Sequence, residues 1–199
     1  MTFEELLRAV AAGAFGGIAI DSRTVSRGEL YVALRGEVAD GHDFVGQAFD
    51  RGALAAVVES GRPLALPPGS ESELVAVDGT RRALSALAAA FYRDPSQAFD
   101  TIGVTGTNGK TTTTQMVAAI FHAAGRACGT IGTIGARFGA REWPLANTTP
   151  QPPELHALLA EMRDAGARAV AMEVSSHALA LERVEDVRFA VGAFTNLTR

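Results

Sequence analysis

The chain has 199 residues, of which 47% are hydrophobic and 20% charged, with a net charge of -4 and a pI of about 5.6. This balance supports packed cores and excludes wholesale disorder. The acidity argues against a general nucleic-acid binder, so an anionic ligand must be held by a local device. The single cysteine, Cys128, excludes an internal disulfide framework and fits a reducing compartment. The first residues carry acids where a secretory signal needs bases, and no apolar run approaches the ~20 residues that span a bilayer. These features predict a cytoplasmic protein with no membrane insertion.

In chain order, Thr2 and Glu5 stand at capping-box spacing ahead of Leu6, Leu7 and Val10, which predicts a helix ending near Gly13. Short strands are expected over 18–20 and 29–34, with Asp21, Ser22 and Arg23 between them and a polar, glycine-containing loop over 35–43. A helix over 44–51 stops at Gly52. Strands follow over 54–58 and 74–77, separated by a loop holding Pro63, Pro67, Pro68 and Gly69. Asp78 can cap a helix in which Leu84, Leu87, Ala88 and Phe91 keep i, i+3, i+4, i+7 spacing. Residues 92–100 then break the periodicity at Pro95. This places a boundary between a small α/β domain, 1–96, and a second domain, 97–199.

The second domain alternates strand and helix. Strands are expected over 101–105, 127–131, 169–174 and 189–194. Helices are expected over 110–124 and after Pro152 and Pro153, with Gly125 and Gly166 as stops. That order implies a parallel sheet whose ligand site lies beyond the carboxyl ends of the strands. The groups expected there are 106–112, Glu173 to Ser175, and Thr195 with Asn196.

The stretch 101–112 carries the strongest chemical signal. A β-branched run leads into a loop with Gly106, Thr107, Asn108 and Gly109, after which Lys110, Thr111 and Thr112 open a helix. Strand, glycine loop, Lys-Thr and helix form a phosphate-binding turn. Glycines let backbone N–H groups approach phosphate oxygens, and the helix N-terminus adds partial positive charge. Lys110 supplies a full charge, and the Thr111 hydroxyl suits Mg²⁺. The loop is a variant, because Val104 occupies the position of the first glycine of the strict pattern.

Glu173 ends an apolar strand, where an unpaired carboxylate is costly. It reads either as a Mg²⁺ ligand beside Thr111 or as a cap for a neighbouring helix. Ser175, Ser176 and His177 lack a nucleophile-elbow pattern, so a serine hydrolase is not indicated. Asn147, Thr148 and Thr149 suit either a turn or hydrogen bonds to a polar ligand. Arg183 is a lone arginine, and solvation is the ordinary state of such a residue. His42, His122 and His156 have no metal-ligand spacing.

Four segments together, 103–112, 147–150, 172–179 and 194–199, resemble the Mur ligases. Their order and spacing are most similar to the branch that adds the third residue of the peptidoglycan stem. Residues 20–23 and 35–41 resemble the UDP-binding domain of that family. The resemblance implies an ATP- and Mg²⁺-dependent amide ligase that joins diaminopimelate or lysine to UDP-MurNAc-L-Ala-D-Glu through an acyl phosphate; separately, a monomer is expected. It also implies residue roles. Ile20, Ser22, Glu37, Val38 and Ala39 match contacts to UDP, and 106–112 match the ATP loop. Asn147, Thr148, Thr149, Ser175 and Arg183 match contacts to the muramoyl-dipeptide. Glu173 matches a magnesium ligand, and Lys110, Thr111 and Glu173 form the catalytic set. Leu181 departs from a glutamine found in relatives.

The family continues past 199 into a metal histidine, a carbamylated lysine and an amino-acid-binding domain. The expectation is therefore a fragment, truncated inside its ATPase domain, that binds without ligating. Alternatives are a folylpolyglutamate synthetase-like ligase, against which the first domain argues, and a non-catalytic nucleotide-binding module.

Overall fold

The computed structural model describes residues 1–64, 66, 69 and 73–198. The loop residues Pro67 and Pro68, and Arg199, lie outside the described residues. The chain divides into two compact units, Met1–Phe91 and Tyr92–Arg199.

The first unit opens with α1 (Phe3–Ala11). Thr2 caps it: the Glu5 N–H donates to Thr2 Oγ1 and the Thr2 N–H to the Glu5 carboxylate, a complete capping box. Four strands follow: β1 (Ile18–Ala19), β2 (Leu30–Val32), β3 (Ala55–Glu59) and β4 (Leu74–Val77). They form one parallel sheet in sequence order. Helices α2 (Val45–Asp50) and α3 (Thr80–Phe91) complete the unit. Alternation along the strands builds two cores. Leu30, Val32, Ala55, Val57 and Val75 pack with α1 and α3, while Tyr31, Ala33, Ala56 and Val58 pack with Val45 and Ala48 of α2. Helix α3 starts at Thr80, so Asp78 does not immediately precede it as the capping expectation required; Gly79 intervenes.

The second unit holds β5 (Asp100–Thr105), α4 (Lys110–Ala123), β6 (Cys128–Gly132), β7 (Gly135–Phe138) and β8 (Arg141–Trp143). It continues with α5 (Pro152–Asp164), β9 (Ala169–Glu173), α6 (Ser176–Ala180) and β10 (Val191–Phe194). The sheet order is β10-β5-β9-β6-β7-β8. The first four strands are parallel, as the alternation implies. The last two are antiparallel, a hairpin extension that the sequence reading missed. These strands are short and half exposed, so they leave little periodic signal. The four central strands alternate faces. Ile102, Val104, Cys128, Ala169 and Ala171 pack against Ala118 of α4. Val170 and Met172 pack against Leu155, Leu158, Leu159 and Met162 of α5. Both units are α/β with parallel strands, as expected.

Candidate functional site

The glycine loop connects β5 to α4 at the carboxyl end of the sheet. Val104 continues the strand into its last turn. It is fully buried and paired with Glu173 of β9, which explains why a side chain stands where the strict loop has glycine. The loop proper begins at Gly106, whose φ is +127°. A side chain there would collide with the Thr195 hydroxyl and the Asn196 backbone. Gly109, φ +85°, is the N-cap of α4 and offers no side-chain cap. The first N–H groups of a 14-residue helix therefore face outward uncapped by any side chain, the arrangement that binds phosphate.

The loop is held from the far side of the chain. Beyond β10, the Thr195 hydroxyl lies within donating distance of the Asn108 carbonyl (2.7 Å) and the Thr105 carbonyl (3.2 Å). The Thr107 N–H donates to the Asn196 carbonyl, and Thr198 joins both Thr107 and Asn108. The Lys110 ammonium folds onto the loop, donating to the carbonyls of Gly106 (2.7 Å) and Thr107 (3.1 Å). Thr111 follows on the first turn, half-buried.

Glu173 is 2% exposed at the end of β9. Neither of its two sequence readings included its actual partner. The Thr133 N–H donates to Oε1 at 3.0 Å and the Thr133 hydroxyl to Oε2 at 3.2 Å. Thr133 has one hydroxyl proton, so Thr148 donates to Thr133 across 3.1 Å. Thr133 lies in the β6–β7 turn, and no motif in the sequence marks it. Gly132 before it is equally unmarked, yet a side chain at Gly132 would run into the Glu173 carboxylate.

Thr149 is buried beneath this cluster. Its hydroxyl donates to the Glu173 carbonyl (3.0 Å) and accepts from the Ser175 N–H (3.1 Å). Ser175 caps α6 through its hydroxyl, which accepts from the Ala178 N–H. Arg183 is 6% exposed and donates to the Thr149 carbonyl at 2.9 Å, so it is not the solvated arginine its isolation suggested. Thr148, Thr149, Glu173, Ser175 and Arg183 thus form one connected network at the strand ends. Asn147 is exposed beside it.

Burial pushes the Cys128 thiol up to about 11, which leaves it inert. Among the described residues no cluster of three or more His, Cys, Asp or Glu could hold a metal by itself. The Thr111 hydroxyl on the first turn of α4 and the Glu173 carboxylate at the end of β9 are each hard oxygen donors. That suits Mg²⁺, which takes one or two protein oxygens and completes its shell with phosphate and water.

In the first unit, Ile20 and Ser22 follow β1, and the 35–40 turn follows β2, so both lie at the carboxyl edge of that sheet. Ser22 is buried and its hydroxyl donates to Gln47 Oε1 at 2.6 Å. The turn is closed by the Gly36 N–H donating to the Ala39 carbonyl and by a bridge between Arg35 and Asp40. Glu37, Val38 and Ala39 stand exposed at its tip. The Arg23 side chain and backbone N–H hold the Asp21 carboxyl down at about 2.

A strand, a glycine loop with lysine folded over it and an uncapped helix, at the carboxyl edge of a parallel sheet, define a P-loop type of unit. The chain belongs to the Mur ligase family. Residues 104–199 match the Mur ligase middle domain, and residues 15–92 match the domain described as Mur ligase family, catalytic domain. The UDP-N-acetylmuramoyl-L-alanyl-D-glutamate--2,6-diaminopimelate ligase of Geobacter metallireducens is 44% identical over 207 residues, covering 100% of this chain and 40% of the relative. The enzyme of the same name from Geobacter sulfurreducens is 48% identical over 183 residues, covering 92% of this chain and 35% of the relative. A solved structure of a ligase of that name superposes with a TM-score of 0.75 at 27% identity, over 93% of this chain and 37% of that one. The chain therefore spans well under half the length of these relatives.

Proposed function

We propose that this chain carries the UDP-substrate-binding and ATP-binding units of a ligase of peptidoglycan synthesis. The reaction adds the third stem residue to UDP-MurNAc-L-Ala-D-Glu. ATP activates the D-glutamate carboxylate as an acyl phosphate, and the incoming amine displaces phosphate. The names of the relatives favour diaminopimelate over lysine as the residue added. The observation that carries the reading is the meeting of the Lys110 loop, the uncapped α4 terminus and buried Glu173 at the ends of adjacent strands.

The residues divide the work by chemistry. Loop N–H groups from 106 to 112 take phosphate oxygens, and Lys110 exchanges the Gly106 and Thr107 carbonyls for phosphate. Thr111 and Glu173 would hold Mg²⁺, which supplies charge neutralisation on the transferring phosphoryl group. Thr133 keeps the Glu173 carboxylate oriented. Asn147, Thr148, Thr149, Ser175 and Arg183 form the dipeptide end. Ile20, Ser22, Glu37, Val38 and Ala39 form the UDP end in the first unit, whose extent is 1–96 by sequence.

Calorimetry on the 199-residue chain tests the reading. UDP-MurNAc-L-Ala-D-Glu and Mg-ATP should each bind, and Lys110→Ala should weaken Mg-ATP at least tenfold while leaving the UDP compound unchanged. ATP binding without the UDP compound would instead favour a folylpolyglutamate synthetase-like or non-catalytic nucleotide module. Indifference of ATP binding to Lys110→Ala would sink the phosphate-loop assignment.

A further inference from the structure

The opposite end of the second unit's sheet carries a different feature. At the amino ends of the parallel strands a groove of about 300 Å³ opens, lined by Phe99, Asp100, Arg126, Arg168, Arg188 and Ala190 among others. Strand order explains the convergence. The sheet runs β10-β5-β9-β6, and Arg188 precedes β10, Asp100 begins β5, Arg168 precedes β9 and Arg126 precedes β6. Three guanidiniums and one carboxylate therefore start four neighbouring strands. In a chain of net charge -4 this groove lining carries a local excess of two positive charges.

Their positions are fixed by backbone pairing. The Arg168 N–H donates to the Ala127 carbonyl (2.8 Å), and the Asp100 N–H to the Arg168 carbonyl (3.3 Å). The Arg188 N–H donates to Ser96 Oγ at 3.0 Å. Arg126 is committed: it pairs with Asp100 at 2.6 Å, donates to the Arg168 carbonyl and lies over the Phe121 ring. The Arg168 and Arg188 guanidiniums make no hydrogen bond or ion pair among the described residues. Two forks are thus available across one groove, with the carboxylate that could quench them already taken. Planar guanidiniums in that setting match phosphate oxygens in pairs.

We propose that this groove is a second anion site, selective for a compact oligophosphate such as inorganic pyrophosphate or a nucleotide's phosphate tail. It goes beyond the ligase reading. It lies the length of β5, roughly 20 Å, from the glycine loop, so its occupant does not compete directly for the Lys110 site.

The test uses the 199-residue chain and inorganic pyrophosphate without divalent metal. Calorimetry is run on the parent, on Lys110→Ala, and on the Arg168→Gln/Arg188→Gln double variant, with sulfate at matched ionic strength as control. Both exchanged arginines are exposed, and among the described residues their side chains bond to nothing, so folding is preserved. Amide spectra locate the bound ion independently. The expected result is binding that survives Lys110→Ala, weakens at least tenfold in the double variant and shifts amides near 100, 126, 168 and 188. The proposal is overturned by absence of binding, by loss of binding in Lys110→Ala alone, or by sulfate binding as tightly as pyrophosphate. A nucleoside diphosphate arm distinguishes the two sources. Shifts in the groove, alone or together with shifts at 106–112, support a phosphate-tail ligand there, and shifts confined to 106–112 count against it.

Discussion

Asn108 and Asn196 hold each other. The Asn108 N–H donates to Asn196 Oδ1 at 3.2 Å, and Asn196 Nδ2 donates to the Asn108 carbonyl at 3.0 Å, across 88 residues of sequence. This reciprocal pair fixes the peptide planes of the glycine loop, and so the directions of the N–H groups offered to phosphate. Asn196→Ala removes both bonds. A loss of about 1–2 kcal/mol is expected, since a hydrogen bond contributes about 1 kcal/mol net. Mg-ATP affinity should fall by about tenfold while binding of the UDP compound is unchanged. An unaltered nucleotide affinity would show that the loop holds its form without the Asn196 side chain.

Gly132 is tied to Glu173 by space. An added Cβ would overlap the buried carboxylate, so Gly132→Ala should destabilise the protein by about 1–3 kcal/mol, the usual cost of overpacking. Adding Glu173→Ala removes the obstruction. The two changes should therefore be strongly non-additive, with the double variant recovering part of the Tm lost by Gly132→Ala. Simple additivity in a denaturant series would contradict the contact.

His156 titrates against stability. It is fully buried on α5, neither ring nitrogen has a partner among the described residues, and burial alone lowers its pKa from 6.5 to about 4. The unfolded chain therefore takes up a proton near pH 6.5 that the folded chain refuses until about pH 4. Its contribution is full above 6.5 and is lost as pH falls through that window, reaching about 3 kcal/mol at the acid end. His156→Leu replaces an unsatisfied polar group with an apolar one. It should flatten the stability profile between pH 6.5 and 4 and raise Tm at pH 5. An unchanged slope would count against the neutral buried ring.

His42 organises the approach to the 35–40 turn. Its Nε2 accepts from the Glu59 N–H at 2.9 Å, which requires the ring proton on Nδ1, where it meets Asp40 at 2.6 Å. Asp40 in turn pairs with Arg62. His42→Ala leaves the Glu59 strand N–H without its partner and removes one of those of Asp40, which keeps Arg62, at a cost of about 1–3 kcal/mol. Urea denaturation should show that loss, and the UDP compound should bind more weakly because the turn carrying Glu37 to Ala39 ends at Asp40, the residue His42 holds. A wild-type midpoint would refute the role.

Local patterns were read well where one physical rule dominates. The capping box at Thr2 and Glu5 is a reciprocal contact between residues three apart, so adjacency in sequence makes it visible. The 101–112 stretch is likewise legible, because strand, turn glycines and helix start are all set by neighbours. Asp78 shows the limit: a good capping residue lost its place to a helix that starts two residues later. The β7–β8 hairpin escaped because half-exposed strands of three and four residues carry no clear period. Arg183 looked solvated because nothing nearby in sequence could pair with it; its carbonyl partner is 34 positions away.

The sequence by itself determined the phosphate loop, the α/β order and the family resemblance, since each rests on short-range spacing. Tertiary structure decided which distant groups complete the loop and its surroundings. Thr195, Asn196 and Thr198 clamp the loop, and Thr133 orients Glu173, because parallel strands bring their carboxyl ends together whatever the distance along the chain. The same geometry gathers Arg126, Arg168 and Arg188 at the other end. A hydrogen bond depends on separation in space, and only the paired sheet converts residues 88 apart into neighbours.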